Sequence, residues 1–343
     1  MYIILAILVF CFLIFSHELG HFLVAKACGV KVLEFSLGMG PAIWKKQGKE
    51  TLYSLRCLPL GGFCAMEGED EESESPRAFT RASVPRRLAI LLAGVVMNFL
   101  VGFLIVLALF SGRSFQAPVV TDFMEGCPYE SVHGLQAGDR FYEINGERIY
   151  FSSDVVTYLR RGGGERADIT VIRDGKKVVL EDFSIVPLEY TYQGETGMYY
   201  GFLMEQVDSG FGSQVRYAWY QSLDFVRQVR LALTDLISGA IGLDQMAGVV
   251  GIVDTINQVG QMAPTAADAL WRIGYLAALI SVNLAVMNLL PIPALDGGRI
   301  VFLLLGWLVE KLTRRKLNPK YEGWLHGATL ILLMGLMVVV MYN

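Results

Sequence analysis

The sequence predicts a polytopic α-helical membrane protein carrying one soluble α+β insert, and three observations predict it. Over 343 residues the chain is 53% hydrophobic, with a mean hydropathy of +0.44, too apolar for an ordinary soluble protein. The apolar residues gather into four runs of membrane-crossing length: one from the first residue to Ala25, then Leu88–Phe110, Ile273–Leu290 and Trp324–Met341. Between the second and third runs lies a long section of ordinary polarity, with period-two alternation and Gly, Asn and Asp at its breaks. The net charge of -4 and the absence of a basic stripe point away from a nucleic-acid partner and leave the lipid bilayer as the main environment. The five cysteines, Cys11, Cys28, Cys57, Cys64 and Cys127, have no zinc-finger spacing. Only Cys127 lies in the insert, so no disulfide framework is expected.

The first run contains His17-Glu18-Leu19-Gly20-His21, the pattern H-E-x-x-H, between an uncharged Ile3–Phe15 and a resumed apolar Phe22–Ala25. On a helix, His17 and His21 share one face a turn apart, so both imidazoles can bind one zinc ion while Glu18 serves water as a base. Ionisable groups at membrane depth are costly and mark function. The run is not expected to be a signal peptide, because it lacks a basic start and a small-residue cleavage site before His17.

Val30–Met66 reads as short strands punctuated by glycine and proline, among them Val32–Ser36, Ala42–Trp44, Thr51–Leu55 and Leu60–Phe63. Such a β-hairpin element beside a membrane site either offers an unpaired edge to an extended substrate, with Thr51–Leu55 the candidate edge, or is a small packing sheet. Glu67–Glu74 is an acidic, solvated loop. In the second span Gly94 permits close helix approach, and Asn98 is a buried amide needing partners, as interhelical glue or as part of the site.

The insert, Phe115 to about Pro187, contains Gly134-Leu135-Gln136-Ala137-Gly138-Asp139 followed by Ile144-Asn145-Gly146, and a short helix capped by Ser152 or Ser153. It resembles a PDZ domain; such folds bind peptide ends by strand addition, the other reading being a steric plug. Ser213 to about Ile241 is amphipathic and suits an interfacial helix, and the glycine-rich 239–260 is left unassigned. The third span ends in Asn288-Leu289-Leu290-Pro291-Ile292-Pro293-Ala294-Leu295-Asp296-Gly297-Gly298. Its prolines must break the helix, and a carboxylate just past the break can face a neighbouring helix, making Asp296 the third zinc ligand. His326 is read as interfacial. The Lys/Arg-rich segments 26–87 and 299–320 are expected to be cytoplasmic loops, with both termini and the insert outside.

Taken together the chain resembles the site-2 protease family of intramembrane zinc metalloproteases, in its bacterial RseP-type branch. The resemblance rests on His17–His21, Phe35-Ser36-Leu37-Gly38-Met39-Gly40-Pro41, Leu58-Pro59-Leu60-Gly61-Gly62-Phe63, the PDZ signature and Asn288–Gly298. It implies Asp296 as third zinc ligand, and Asn288, Asn98, Gly38 and Gly40 as substrate-binding residues. It also implies cleavage of single-pass proteins, such as an anti-sigma factor, or of remnant signal peptides, within a bacterial cell membrane. The family's G-P-x-x-N motif stands here as Gly94-Val95-Val96-Met97-Asn98, without the proline. Ala247-Gly248-Val249-Val250-Gly251-Ile252 likewise departs from Gly-Pro-Val-Gly-Ile. The expected division is a catalytic membrane half over 1–112, one PDZ domain over 113–190, an interfacial connection over 191–265 and a second catalytic half over 266–343. The competing class, a non-enzymatic PDZ-bearing adaptor, has no use for a zinc site.

Overall fold

The computed structural model describes residues 2–69, 73–161, 163, 165–192, 194–239 and 249–314, with scattered positions between 327 and 335. In chain order the elements are α1 (Tyr2–Ala27), β1 (Val32–Gln47), β2 (Leu52–Met66), α2 (Val84–Leu109), β3 (Phe115–Phe123), β4 (Arg140–Ile144) and β5 (Glu147–Arg148). There follow α3 (Ser152–Arg161), β6 (Arg166–Arg173), β7 (Lys176–Ser184), β8 (Leu188–Tyr192), β9 (Glu195–Tyr199) and β10 (Phe202–Val207). The chain continues through α4 (Phe211–Ile237), α5 (Val249–Gln261), α6 (Ala266–Leu289) and α7 (Asp296–Thr313). Two compact units result, one of Met1–Leu109 with Ser222–Asn343, the other of Phe110–Gln221.

In the first unit α1, α2 and α6 are long and apolar enough to cross a membrane. The fourth expected span, Trp324–Met341 with His326, lies largely outside the described residues. α2 packs between α1 and α6. Gly20 faces the Ala93 main chain so closely that a Cβ there would come within 2.8 Å of the Ala93 carbonyl carbon. On its other side, Ser281 Oγ donates to the Asn98 carbonyl oxygen over 2.7 Å. These contacts fix α2 between its neighbours by backbone approach and hydrogen bonding, the usual means where lipid gives no hydrophobic drive. A cluster of Ala25, Val32, Phe35, Ile90, Leu91 and Leu303 joins α1, β1, α2 and α7.

β1 and β2 are long and bent. Residues 32–37 pair antiparallel with 62–66, from Val32 with Met66 to Leu37 with Gly62. The same residues also run alongside 52–55, from Glu34 with Leu52 to Leu37 with Leu55, and 42–47 return against 52–56. Four short runs therefore lie in the order 42–47, 52–56, 32–37, 62–66. The expectation that Thr51–Leu55 is a free edge is corrected, since 52–55 is paired on both sides; the outer runs are 42–47 and 62–66.

α7 is a second departure. Asp-Gly-Gly and Arg299 read as the start of a basic loop, yet Asp296–Thr313 is helical. The apolar run Ile300–Leu305 gives that helix a face to bury, and Leu303 joins the cluster above.

The second unit is an antiparallel sheet in the order β10-β3-β4-β6-β7, with β5 on β4, a separate β8–β9 hairpin, and α3. Its core includes Phe141, Ile144, Val155, Leu159, Ile169 and Val171. Asn145-Gly146 and Asp174-Gly175 carry positive φ at both positions (50° and 80°, 49° and 76°), the geometry of tight hairpin turns. Asp139 is fully buried but fully used: it accepts from Arg173 Nε and Nη2, each over 2.7 Å, and from the Gln136 amide over 2.8 Å. That pair fixes the 134–139 loop and holds the Arg173 guanidinium above its ordinary pKa. β10, beyond the residue 190 at which the sequence reading ends the insert, completes the sheet by pairing with β3.

Candidate metal centre

The histidines come from one face of α1. His17 Nε2 and His21 Nε2 are 3.2 Å apart. Asp296 arrives from a segment 275 positions beyond His21. Pro291 forces Leu290 out of the helical region, to φ -61° and ψ 144°, and so stops α6. The chain then turns tightly: Ile292 donates to the Leu290 carbonyl over 2.7 Å, Leu295 donates to that of Ile292 over 3.1 Å, and Ala294 sits at φ 78°. That conformation is strained for a residue with a Cβ, by about 1 kcal/mol or more. Gly298 lets α7 start against this loop, for a Cβ there would lie 2.7 Å from the Ile292 carbonyl carbon and 2.8 Å from Pro293 Cα. Prolines that end one helix and glycines that let the next begin in contact with the turn thus deliver Asp296 to the histidines.

Asp296 Oδ2 stands 3.1 Å from His17 Nε2 and 3.3 Å from His21 Nε2. It is buried and has no hydrogen-bond partner among the described residues. His17 Nε2, His21 Nε2 and Asp296 Oδ2 thus face one point. A tetrahedral zinc site with arms of about 2.0–2.1 Å has edges of about 3.3 Å, so these residues fit zinc as three ligands, leaving a fourth position. The backbone supports the fit at His21: Nδ1 lies 2.8 Å from the Ile90 carbonyl oxygen. A carbonyl only accepts, so Nδ1 carries the proton and Nε2 keeps its lone pair for a metal. Gly94 of α2 abuts both rings, a Cβ there lying 2.6 Å from His17 Cε1.

The other sequence candidates fall in different places. Glu18 adjoins the triad and is flanked by β2, where a Cβ at Gly62 would lie 3.3 Å from Glu18 Cγ. Asn98 is 1% exposed, with its amide 3.3 Å from His17 Nδ1. Asn288, in the last turn of α6, is half-buried and makes no side-chain hydrogen bond among the described residues. Gly38 and Gly40 have positive φ within β1, and their nearest neighbours are Arg56, Cys57 and Leu58 rather than the donor atoms. Gly62 was not singled out from the sequence as a site residue, although Leu58-Pro59-Leu60-Gly61-Gly62-Phe63 was the signal available.

Two histidines on the membrane-length α1 and an aspartate at the start of α7 form a donor set of the kind a zinc metallopeptidase uses, in a protein with three helices long and apolar enough to cross a membrane. The sequence profile of peptidase family M50 matches residues 5–336, and the chain belongs to that family, the site-2 proteases. It is 34% identical over 342 residues to a Clostridium perfringens protein provisionally named a zinc metalloprotease, covering 99% of this chain and 97% of the relative. Identity is 28% to zinc metalloprotease RasP of Geobacillus kaustophilus and 27% to the regulator of sigma-W protease RasP of Bacillus subtilis. Both alignments cover 99% of this chain and 97% of the relative.

Proposed function

We propose that the chain is an intramembrane protease that cuts the membrane segment of single-pass proteins, with His17, His21 and Asp296 as zinc ligands and Glu18 as the proton carrier. The observation that carries this reading is the convergence of two histidines from α1, a helix of membrane length, with Asp296 from the start of α7, beside an outer run of a β-sheet. Zinc bound there supplies a Lewis acid that polarises a carbonyl and acidifies water. Glu18 takes the proton from the attacking water on its carboxylate and delivers it to the leaving amine.

A helical substrate hides its carbonyls in internal hydrogen bonds and must be opened first. The 62–66 run, paired on one side only and lying against Glu18, is suited to hold it extended by main-chain pairing. Asn288 clamps the substrate backbone, and Gly38 and Gly40 set the bends of the sheet that meets it. Segments with helix-weakening residues are preferred, since less work is needed to open them. The Phe110–Gln221 unit is read as a single PDZ domain, and β10 at the end of its sheet offers an edge for a peptide terminus. The Bacillus subtilis relative is named a regulator of sigma-W protease, which supports an anti-sigma factor as substrate here, with remnant signal peptides as a second class. The chain sits in a bacterial cell membrane with four spans, its basic loops cytoplasmic and its termini and insert outside.

The test is cleavage by the purified full chain, in proteoliposomes, of a model protein with one apolar helix, with cut sites read by mass spectrometry. Cleavage inside the apolar segment, lost with a zinc chelator and regained with zinc, is the expected result. Cuts confined to flanking polar sequence would overturn the reading.

A further inference from the structure

We propose that Asn98 is a positioning residue that fixes the proton of His17 on Nδ1, leaving Nε2 free to bind the metal, and that it does not contact substrate. The inference rests on the zinc reading above and deepens it.

Ser16 orients the Asn98 amide. Its hydroxyl lies 2.8 Å from the Leu13 carbonyl oxygen, which can only accept, so the single hydroxyl proton is committed there. Ser16 Oγ is also 3.2 Å from the amide atom placed as Asn98 Oδ1, with Nδ2 placed toward His17 Nδ1; with its proton on Leu13, Ser16 can only accept from the amide, which calls for the amide turned end for end. The amide atom facing Ser16 must therefore be the NH2, and the one facing His17 Nδ1 must be the carbonyl oxygen. Amide oxygen and nitrogen are nearly alike in size, and it is the hydrogen-bond network that decides between them. His17 Nδ1 then donates to Asn98. The opposite orientation would drive the proton onto Nε2, aimed at Asp296 and His21, where a metal could not be held.

The register of the helices gives independent support. His21 Nδ1 meets the Ile90 carbonyl oxygen over 2.8 Å, and His17 Nδ1 meets the Asn98 amide over 3.3 Å. Ile90, Gly94 and Asn98 follow one another at single-turn spacing on α2, antiparallel to His21 and His17 on α1. One face of α2 thus carries an acceptor for each histidine, with a gap between them where the rings need room. At 1% exposure Asn98 has no accessible surface to offer a substrate.

The experiment uses the full chain in detergent as wild type, Asn98→Leu, Asn98→Asp and Ser16→Ala. Zinc affinity is measured by chelator competition, the cobalt-substituted visible spectrum is recorded, and kcat and KM are determined at saturating zinc. Asn98→Leu should weaken zinc binding about 10- to 100-fold and shift the cobalt bands with KM unchanged. Asn98→Asp keeps an acceptor and should retain near-wild-type affinity. Ser16→Ala frees the amide to rotate and should weaken zinc binding measurably, which decides the matter if Asn98→Leu does not fold. Wild-type affinity and spectrum in Asn98→Leu with a raised KM would overturn the proposal and make Asn98 a substrate residue; unchanged affinity in Ser16→Ala would overturn the proton assignment. If wild type binds zinc no better than His17→Ala, the zinc ligation itself fails, an outcome distinct from these.

Discussion

Replacing Gly94 by alanine tests the packing that aligns the two histidines. The added carbon would lie 2.6 Å from His17 Cε1 and 2.8 Å from His17 Nδ1, and closer still to His21 Nε2. Carbon atoms pack comfortably from roughly 3.5 Å, so the first contact alone falls short by about 0.9 Å. α2 has little room to retreat, being hydrogen-bonded to α6 through Ser281 and set against α1 where Gly20 meets Ala93. The rings must therefore move, whereas zinc ligand distances tolerate about 0.2 Å. Overpacking of this kind costs about 1–3 kcal/mol, which corresponds to roughly 5- to 150-fold if it is expressed wholly at the metal. Zinc content after dialysis against buffered free zinc, read beside the melting temperature, should show metal lost well before the fold. A Gly94→Ala protein with stoichiometric zinc and wild-type turnover would refute the reasoning.

The remaining predictions concern proton transfer, substrate capture and the tie that holds α7. Glu18→Gln should keep zinc and lose about a hundred- to ten-thousandfold in kcat, because an amide cannot take a proton from water; retained turnover would move the base elsewhere. Asn288→Leu should leave zinc affinity intact and raise KM more for a helical substrate than for a helix-broken one, with equal losses on the pair arguing against a clamp. Arg299, one turn past Asp296, is ion-paired with Glu69, which also accepts from the Met66 amide over 3.3 Å. Arg299→Gln strands a carboxylate only 11% exposed and should cost about 1–3 kcal/mol of stability, discounted for the exposure of the arginine. It should also weaken zinc binding through Asp296. Exchanging the pair, Glu69→Arg with Arg299→Glu, should recover part of both, and an unchanged melt in Arg299→Gln would dismiss the tie.

Much of the centre was legible because its chemistry is local. His17, Glu18 and His21 lie within five residues, and helical periodicity alone puts both imidazoles on one side. Asp296 was legible for a different reason: two prolines must end a helix, and a carboxylate just beyond the break needs a use. What Gly94 and Asn98 touch was not legible, since a small residue and a buried amide announce close packing without naming the neighbour. The sheet was seen as separate short strands because each glycine reads as a break. In the folded chain Gly38, Gly40 and Gly61 take positive φ within continuous strands, so 52–55 became interior and 62–66 an outer run. Asp-Gly-Gly reads as a turn signal, and only the folded chain shows Gly297 packed against Leu289 and Leu290 and Gly298 against Ile292 and Pro293 at the start of α7. β10 lies past a glycine-marked hairpin, and no local pattern ties it to β3.

The distance along the chain between His21 and Asp296 bears on how such an enzyme is made. With ribosomes adding about 5–20 residues per second, the separation of 275 positions puts roughly 14–55 seconds of synthesis between the two halves of the centre. Throughout that interval the nascent polypeptide has its histidines in place but no carboxylate to complete the donor set. On the ligation proposed above, the donor set can close only after Asp296 and α7 have been made.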